Sequence, residues 1–266
     1  MNRPEPASRA QVLGTEVDPD MSRFIVPLGF IAALVISVTL WWNLPLIGEV
    51  GSQMKEGGPL VAGLILLIIL QTAFIFERIW SLKKAAGRGS LPEFLNNVRK
   101  RLHAGDIDGA IEACARQRGS AANVIRAGLE RYQQLRAEGA PKEKIVAETQ
   151  TAIQEANGLE VPLLERNLTA LSTIASIGTM VGLLGTVIGM IRSFAALGHT
   201  GAVDASKLAV GISEALINTA GGLIVAIAGI IAYNVFVTRV DNFNYMMDEA
   251  SYETIQLLTA SASDKR

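Results

Sequence analysis

Apolar and polar residues fall in long blocks along this chain. Four blocks are apolar. The first, residues 24–47 (FIVPLGFIAALVISVTLWWNLPLI), and the second, residues 59–76 (PLVAGLILLIILQTAFIF), carry no charge. The third, 167–191, is also charge-free, and the fourth, 208–238, holds one charge, Glu214. A helix needs about 20 apolar residues to cross a bilayer, and lipid offers the backbone no hydrogen-bond partners. The four blocks therefore predict four transmembrane helices. A signal peptide is the competing reading of the first block. Its apolar run is long, Glu16, Asp18 and Asp20 precede it, and no small-residue cleavage site follows. The expectation is a retained helix with Trp41 and Trp42 as interfacial anchors.

Between the second and third blocks the period becomes that of amphipathic helices. Leu91, Phe94, Leu95, Val98 and Leu102 share one face of a helix that stops at Gly105. Asp106 is placed to cap the next helix, with Ile107, Ala110, Ile111 and Cys114 on one side. A third helix spans about 120–137. A fourth starts near Pro141, which suits a first helical turn, and carries Ile145, Ala152, Leu159 and Leu163 toward the membrane. It is expected to run into the third block, with any interruption near Pro162. No strand pattern appears.

Charge orients this arrangement. Residues 81–165 hold 13 of the 24 Lys and Arg, including Lys83, Lys84 and Arg88 just after the second block. The short connection between the third and fourth blocks, near His199-Thr200-Gly201, is almost uncharged. The positive-inside rule then puts 81–165 and both termini in the cytoplasm. Composition agrees with a chain part in lipid and part in water: 50% hydrophobic, 18% charged, net charge −1, mean hydropathy +0.32. The balance gives no reason to expect nucleic acid. One cysteine and two distant histidines offer little for a metal site, and Cys114 reads as a packed small residue. No phosphate-binding glycine loop, HExxH or nucleophile elbow is present, so no enzyme and no cofactor are expected.

Candidate chemistry sits in the third and fourth blocks. Ser172, Thr179, Thr186 and Ser193 recur every seven residues, which makes one hydroxyl stripe on a helix. The plain alternative is that each hydroxyl bonds its own helix backbone. Gly178, Gly182, Gly185 and Gly189 run beside the stripe, in small-xxx-small spacing that lets helix backbones approach closely in lipid. In the fourth block Gly211, Ala215, Gly222 and Ala226 form a small-residue face with Thr219 at its edge. Glu214 and Asn218 lie one turn apart on an adjoining face. A carboxylate deep in a bilayer costs roughly 2.5–3.5 kcal/mol on insertion scales. No Lys or Arg is expected within the spans to pair with Glu214, and desolvation then favours its neutral form. A carboxyl group poised between two protonation states is what a proton path needs.

GLLGTVIGMIRSF (182–194) and GISEALINTAGGLIVAIAGIIAYNVF (211–236) resemble the paired membrane signatures of the MotA/TolQ/ExbB family, its ExbB-like branch most of all. FERIW (76–80), CARQRGSAANVIRAGLERY (114–132) and LLERNLTALSTIASIG (163–178) extend the resemblance to roughly residues 50–255. The resemblance implies an all-α integral membrane protein, with four transmembrane helices and long helices extending into a helical cytoplasmic domain. It implies a pentamer around a single-span ExbD/TolR-like partner that carries a membrane aspartate, coupled to a TonB-like protein. It implies a multi-pass protein of the bacterial inner membrane. Glu214, Thr186 and Thr219 match the family's proton path. Asn218, Thr179, Ser172 and Ser193 are expected to line or support it, and Gly182, Gly185, Gly189 and Gly222 to pack the helices.

The expected layout follows. Residues 1–23 are a cytoplasmic N-terminal segment, 24–47 an additional N-terminal transmembrane helix and 48–58 a periplasmic linker. Residues 59–80 are the second transmembrane helix, 81–165 the cytoplasmic helical domain and 166–194 the third transmembrane helix. A periplasmic turn occupies 195–206, the fourth transmembrane helix 207–238, and a cytoplasmic C-terminal helix and tail 239–266. The sequence departs from many relatives in having Thr179 and Ala228 where they have proline, so helix kinks expected there are absent or made otherwise. A TolQ-like envelope subunit, a MotA-like stator and a non-conducting scaffold are the competing functions.

Overall fold

In a computed structural model, residues 19–198 and 205–261 are described. The expectations for residues 1–18, for the turn at His199-Thr200-Gly201 and for the tail at 262–266 lie outside the described residues. All regular elements among the described residues are helical. They are α1 (Pro19–Asn43), a 3-10 turn (Leu44–Ile47), α2 (Glu49–Glu56), α3 (Leu60–Ala86), α4 (Leu91–His103), α5 (Ile107–Gln117), α6 (Ser120–Ala137), α7 (Lys142–Glu165), α8 (Leu168–Gly198) and α9 (Ala205–Ser261). Four helical stretches among them are long and apolar enough to cross a membrane. The chain divides into two compact units: the described residues up to Leu70 with Gly178–Val225, and Gln71–Ile177 with Ala226 onward.

In the first unit, the stretch read as a linker contains a short helix, α2. Trp41 and Trp42 pack edge to face with ring centroids 5.8 Å apart. Lys55 Nζ sits 5.3 Å from the Trp42 ring centroid, a cation–π contact that ties α2 to the end of α1. Large apolar side chains on α8 and α9, among them Leu183, Val187, Ile191, Leu216 and Ile224, are exposed. Such faces suit lipid or neighbouring helices rather than water.

The second unit has a conventional core. Leu91, Phe94, Val98 and Leu102 of α4 are buried with Ala110 and Cys114 of α5, Ile125 and Leu129 of α6, Ile153 of α7, and Phe236, Val240 and Met247 of α9. Asp106 caps α5 by accepting a hydrogen bond from Gly109 N at 2.9 Å, which satisfies one donor of the first turn. Burial pushes the Cys114 thiol up to about 12.

One expectation for α7, the place of its break, needs correction. Its buried face is Ile145, Thr149, Ile153, Glu160 and Leu164, while Leu159 and Leu163 are exposed. Asn123 donates to Glu160 Oε1 at 2.8 Å, so a polar group holds a place in that face. Pro162 lies inside the helix. The break comes later, at Arg166 (ψ 139°) and Asn167 (φ 62°), in a region asparagine tolerates better than most residues. Tertiary partners fix it there. Arg78, 1% exposed, donates to the Leu164 carbonyl at 3.1 Å and pairs with Glu77 at 2.8 Å. Asn167 Nδ2 donates to Glu77 Oε2 at 3.2 Å. A carbonyl left open at the helix end is thus satisfied by the FERIW motif.

Candidate functional site

Within the first unit, α8 and α9 meet over a run of small residues. A Cβ added to Gly189 would stand 2.6 Å from the Gly211 carbonyl oxygen, and one on Gly222 would stand 2.8 Å from Gly182 Cα. A Cβ on Gly185 would collide with Asn218 Cβ. Glycine costs about 1 kcal/mol against alanine in a helix interior; here the close backbone approach requires it. The partners lie symmetrically about residue 202: Gly182 with Gly222, Gly185 with Asn218, Gly189 with Ala215, and Ser193 with Gly211. Ser193 is fully buried, and its Oγ donates to the Leu208 carbonyl at 3.2 Å.

This packing buries two polar side chains of α9. Glu214 is 5% exposed and Asn218 is fully buried. One turn apart, they share a face. Asn218 Nδ2 donates to the Glu214 carbonyl at 2.9 Å and to the Gly57 carbonyl at 2.7 Å. Its Oδ1 is buried and accepts no hydrogen bond from the protein. The second bond draws the Gly57–Gly58 turn over the site. Gly58 has φ +74°, and a Cβ there would stand 2.5 Å from Glu214 Oε1. Both its conformation and the space around it select glycine. Ser213 Oγ lies 3.5 Å from Glu56 Oε2.

The expectation that Glu214 lacks a cationic partner is overturned. Arg192 Nη1 donates to Glu214 Oε1 in an ion pair. Arg192 lies one residue beyond the charge-free run of the third block, and its long side chain lets the guanidinium reach back from there. The two partners differ in exposure: the Arg192 side chain is 54% exposed and that of Glu214 6%. The Glu214 carboxylate therefore has a counter-charge beside it, softened on one side by solvent screening.

The hydroxyls take separate places. Thr219 Oγ1 donates to the Ala215 carbonyl at 3.1 Å and lies 3.4 Å from the Gly182 carbonyl oxygen, which puts it in the α8–α9 interface. Thr186 bonds its own helix at Leu183 O, 2.6 Å away. Ser172, in the second unit, bonds Thr169 O at 3.0 Å. Thr179 is half-buried. Of the expected residues, Glu214, Asn218 and Thr219 lie within two turns of one helix; Gly182 and Gly185 press against Asn218 and Thr219, and Gly189 against Gly211 and Ala215. No hydrogen bond joins Thr186 to Glu214. Sequence reasoning missed Arg192 and the Gly57–Gly58 turn. A signal for Arg192 existed: it and Glu214 lie at nearly equal distances from the middle of the turn between the two blocks. Among the described residues, no group of three or more His, Cys, Asp or Glu side chains gathers for a metal.

The profile of the MotA/TolQ/ExbB proton channel family matches residues 116–249. The chain belongs to that family. The matched stretch contains α8 and the part of α9 that carries Glu214, Asn218 and Thr219; the Gly57–Gly58 turn lies outside it. Individual MotA/TolQ/ExbB relatives match over shorter stretches. An ExbB-like biopolymer transport protein of Synechocystis is 41% identical over 91 residues, covering 34% of this chain and 43% of that protein. The Tol-Pal system protein TolQ of Pseudomonas aeruginosa is 33% identical over 117 residues, covering 44% and 51%. The biopolymer transport protein ExbB of Helicobacter pylori is 47% identical over 78 residues, covering 29% and 54%. The chain thus spans about half the length of the curated relatives it matches.

Proposed function

We propose that this chain is an ExbB-like proton-channel subunit of an inner-membrane complex. That complex uses the proton-motive force to drive a TonB-type system for outer-membrane transport. The observation that carries the reading is Glu214, a carboxyl group buried among small residues in a membrane-capable helix pair, inside the segment that matches a proton channel family. Protons pass by Glu214, with Thr219 and Thr186 completing the path. Asn218, Thr179, Ser172 and Ser193 line or support it. The chain acts as a non-enzymatic subunit, a pentamer around an ExbD/TolR-like single-span partner whose membrane aspartate supplies the other half of the path, with a TonB-like protein receiving the motion. Residues 81–165 and both termini face the cytoplasm; 48–58 and 195–206 face the periplasm.

Glu214→Gln is the test. The variant is expected to assemble normally and to lose nearly all proton-dependent uptake. Normal uptake at normal expression would sink the assignment. A TolQ-like role is the second reading, favoured by the longer stretch shared with the Pseudomonas protein. Deletion of the gene separates the two: loss of TonB-type uptake supports the first, loss of envelope integrity the second.

A further inference from the structure

We infer that Arg192 is a positioning residue that holds Glu214 ionised and lets go of it when the carboxyl group takes up a proton. This rests on the reading of Glu214 as the proton acceptor. The asymmetry of the pair decides which partner moves. The Glu214 side chain, 6% exposed, is held beneath Gly58, and its helix is fastened to the Gly57 carbonyl by Asn218. The Arg192 side chain, 54% exposed, has open space on one side. A guanidinium keeps its charge throughout the working pH range. A proton therefore adds to a Glu214 carboxylate oxygen, the pair passes from net 0 to net +1, and the attraction that held Arg192 is lost. The arginine then turns outward while the neutral acid stays in its buried seat, where it costs less than the ion.

Among the described residues, Arg192 is the charged side chain in direct contact with Glu214. From α8, residues 178–198 supply Arg192 and no other charged group, and residues 60–70 of α3 supply none. From α2, Lys55 is engaged with Trp42, and Glu56 faces Ser213. On α9 itself Lys207 lies two turns earlier. Among the described residues just named, Glu56 is the one acid, and its charge opposes that of Arg192.

The test uses the full chain in its native complex, reconstituted in lipid. Infrared spectroscopy reads the neutral-acid C=O band of Glu214, assigned by its loss in Glu214→Gln. At pH 7 the wild type is expected to lack the band, Arg192→Gln to show it, and Arg192→Lys to lack it. The proton flux of Arg192→Gln should show a pH profile displaced to the alkaline side, because an opposite charge beside the carboxylate has been removed. No band in Arg192→Gln, with an unchanged profile, overturns the inference. A second measurement avoids any change at Arg192. Glu214→Gln mimics the neutral acid, so Arg192 in that variant should react several-fold faster with a dicarbonyl reagent than in wild type at the same pH. Equal rates overturn the release step. Should the wild-type complex conduct no protons, the proposed function fails, while the infrared and labelling results still decide the pair.

Discussion

The two units solve the same problem, packing helices against one another, with opposite materials. The second unit buries large side chains such as Phe94, Ile125, Leu129 and Met247. The first brings backbones together across glycine and alanine and leaves many of its large apolar residues on the outside. In water the first arrangement would forfeit the hydrophobic driving force; in lipid that force is absent between helices and close contact takes its place. The difference teaches where each unit is vulnerable. One depends on side-chain volume, the other on the lack of it.

The largest expected effect follows from volume. Leu129→Ala in the second unit should destabilise by about 2–5 kcal/mol through a cavity, whereas Leu183→Ala on the outer face of α8 should change stability little. Thermal or denaturant unfolding in detergent measures both, and equal losses would break the comparison. Glycine gives the converse. Gly185→Ala meets Asn218 Cβ, anchored to a helix, while Gly128→Ala meets Ile153 Cγ1 and Cδ1, one bond or more beyond its Cβ. Overpacking against the rigid contact should cost about 1–3 kcal/mol. At Gly128 the crowding falls on a buried β-branched side chain that has little rotamer freedom, and about 1 kcal/mol of helix propensity offsets part of the cost. The smallest effect concerns Cys114. Its thiol is raised from 9.0 to about 12, so the native state holds the proton more tightly than the unfolded chain. Stability is then full below about pH 9 and falls as pH rises toward about 12. Cys114→Ala should flatten that alkaline decline in pH-dependent unfolding. A thiol reagent at pH 8 should label the native wild type far more slowly than the unfolded chain.

Local patterns were legible. Asp106 is a cap by sequence and a cap in the structure, and the 91–103 helix ends where Gly105 says it should. Four apolar blocks became four membrane-capable helical stretches. The candidate site was half legible. Glu214 and Asn218 announce themselves as polar residues in an apolar run, and periodicity puts them on one face. Arg192 stands at the edge of its run, and edges read as water-facing until the reach of an arginine is considered. Gly57-Gly58-Pro59 signals a turn but not its place over Glu214, because what fixes that is a hydrogen bond from a residue 161 positions away. Pro162 shows the same limit in reverse. Its local signal is strong, yet the helix breaks where Arg78 and Glu77 supply partners for the end.

The symmetry of the α8–α9 contacts about residue 202 has a consequence for how this sequence can vary. Every position in the interface has its opposite number, and the space between them is shared. A methyl group gained on one side must be given up on the other. The two helices therefore drift through sequence space as a coupled pair, and a substitution at Gly182 is judged by what stands at 222.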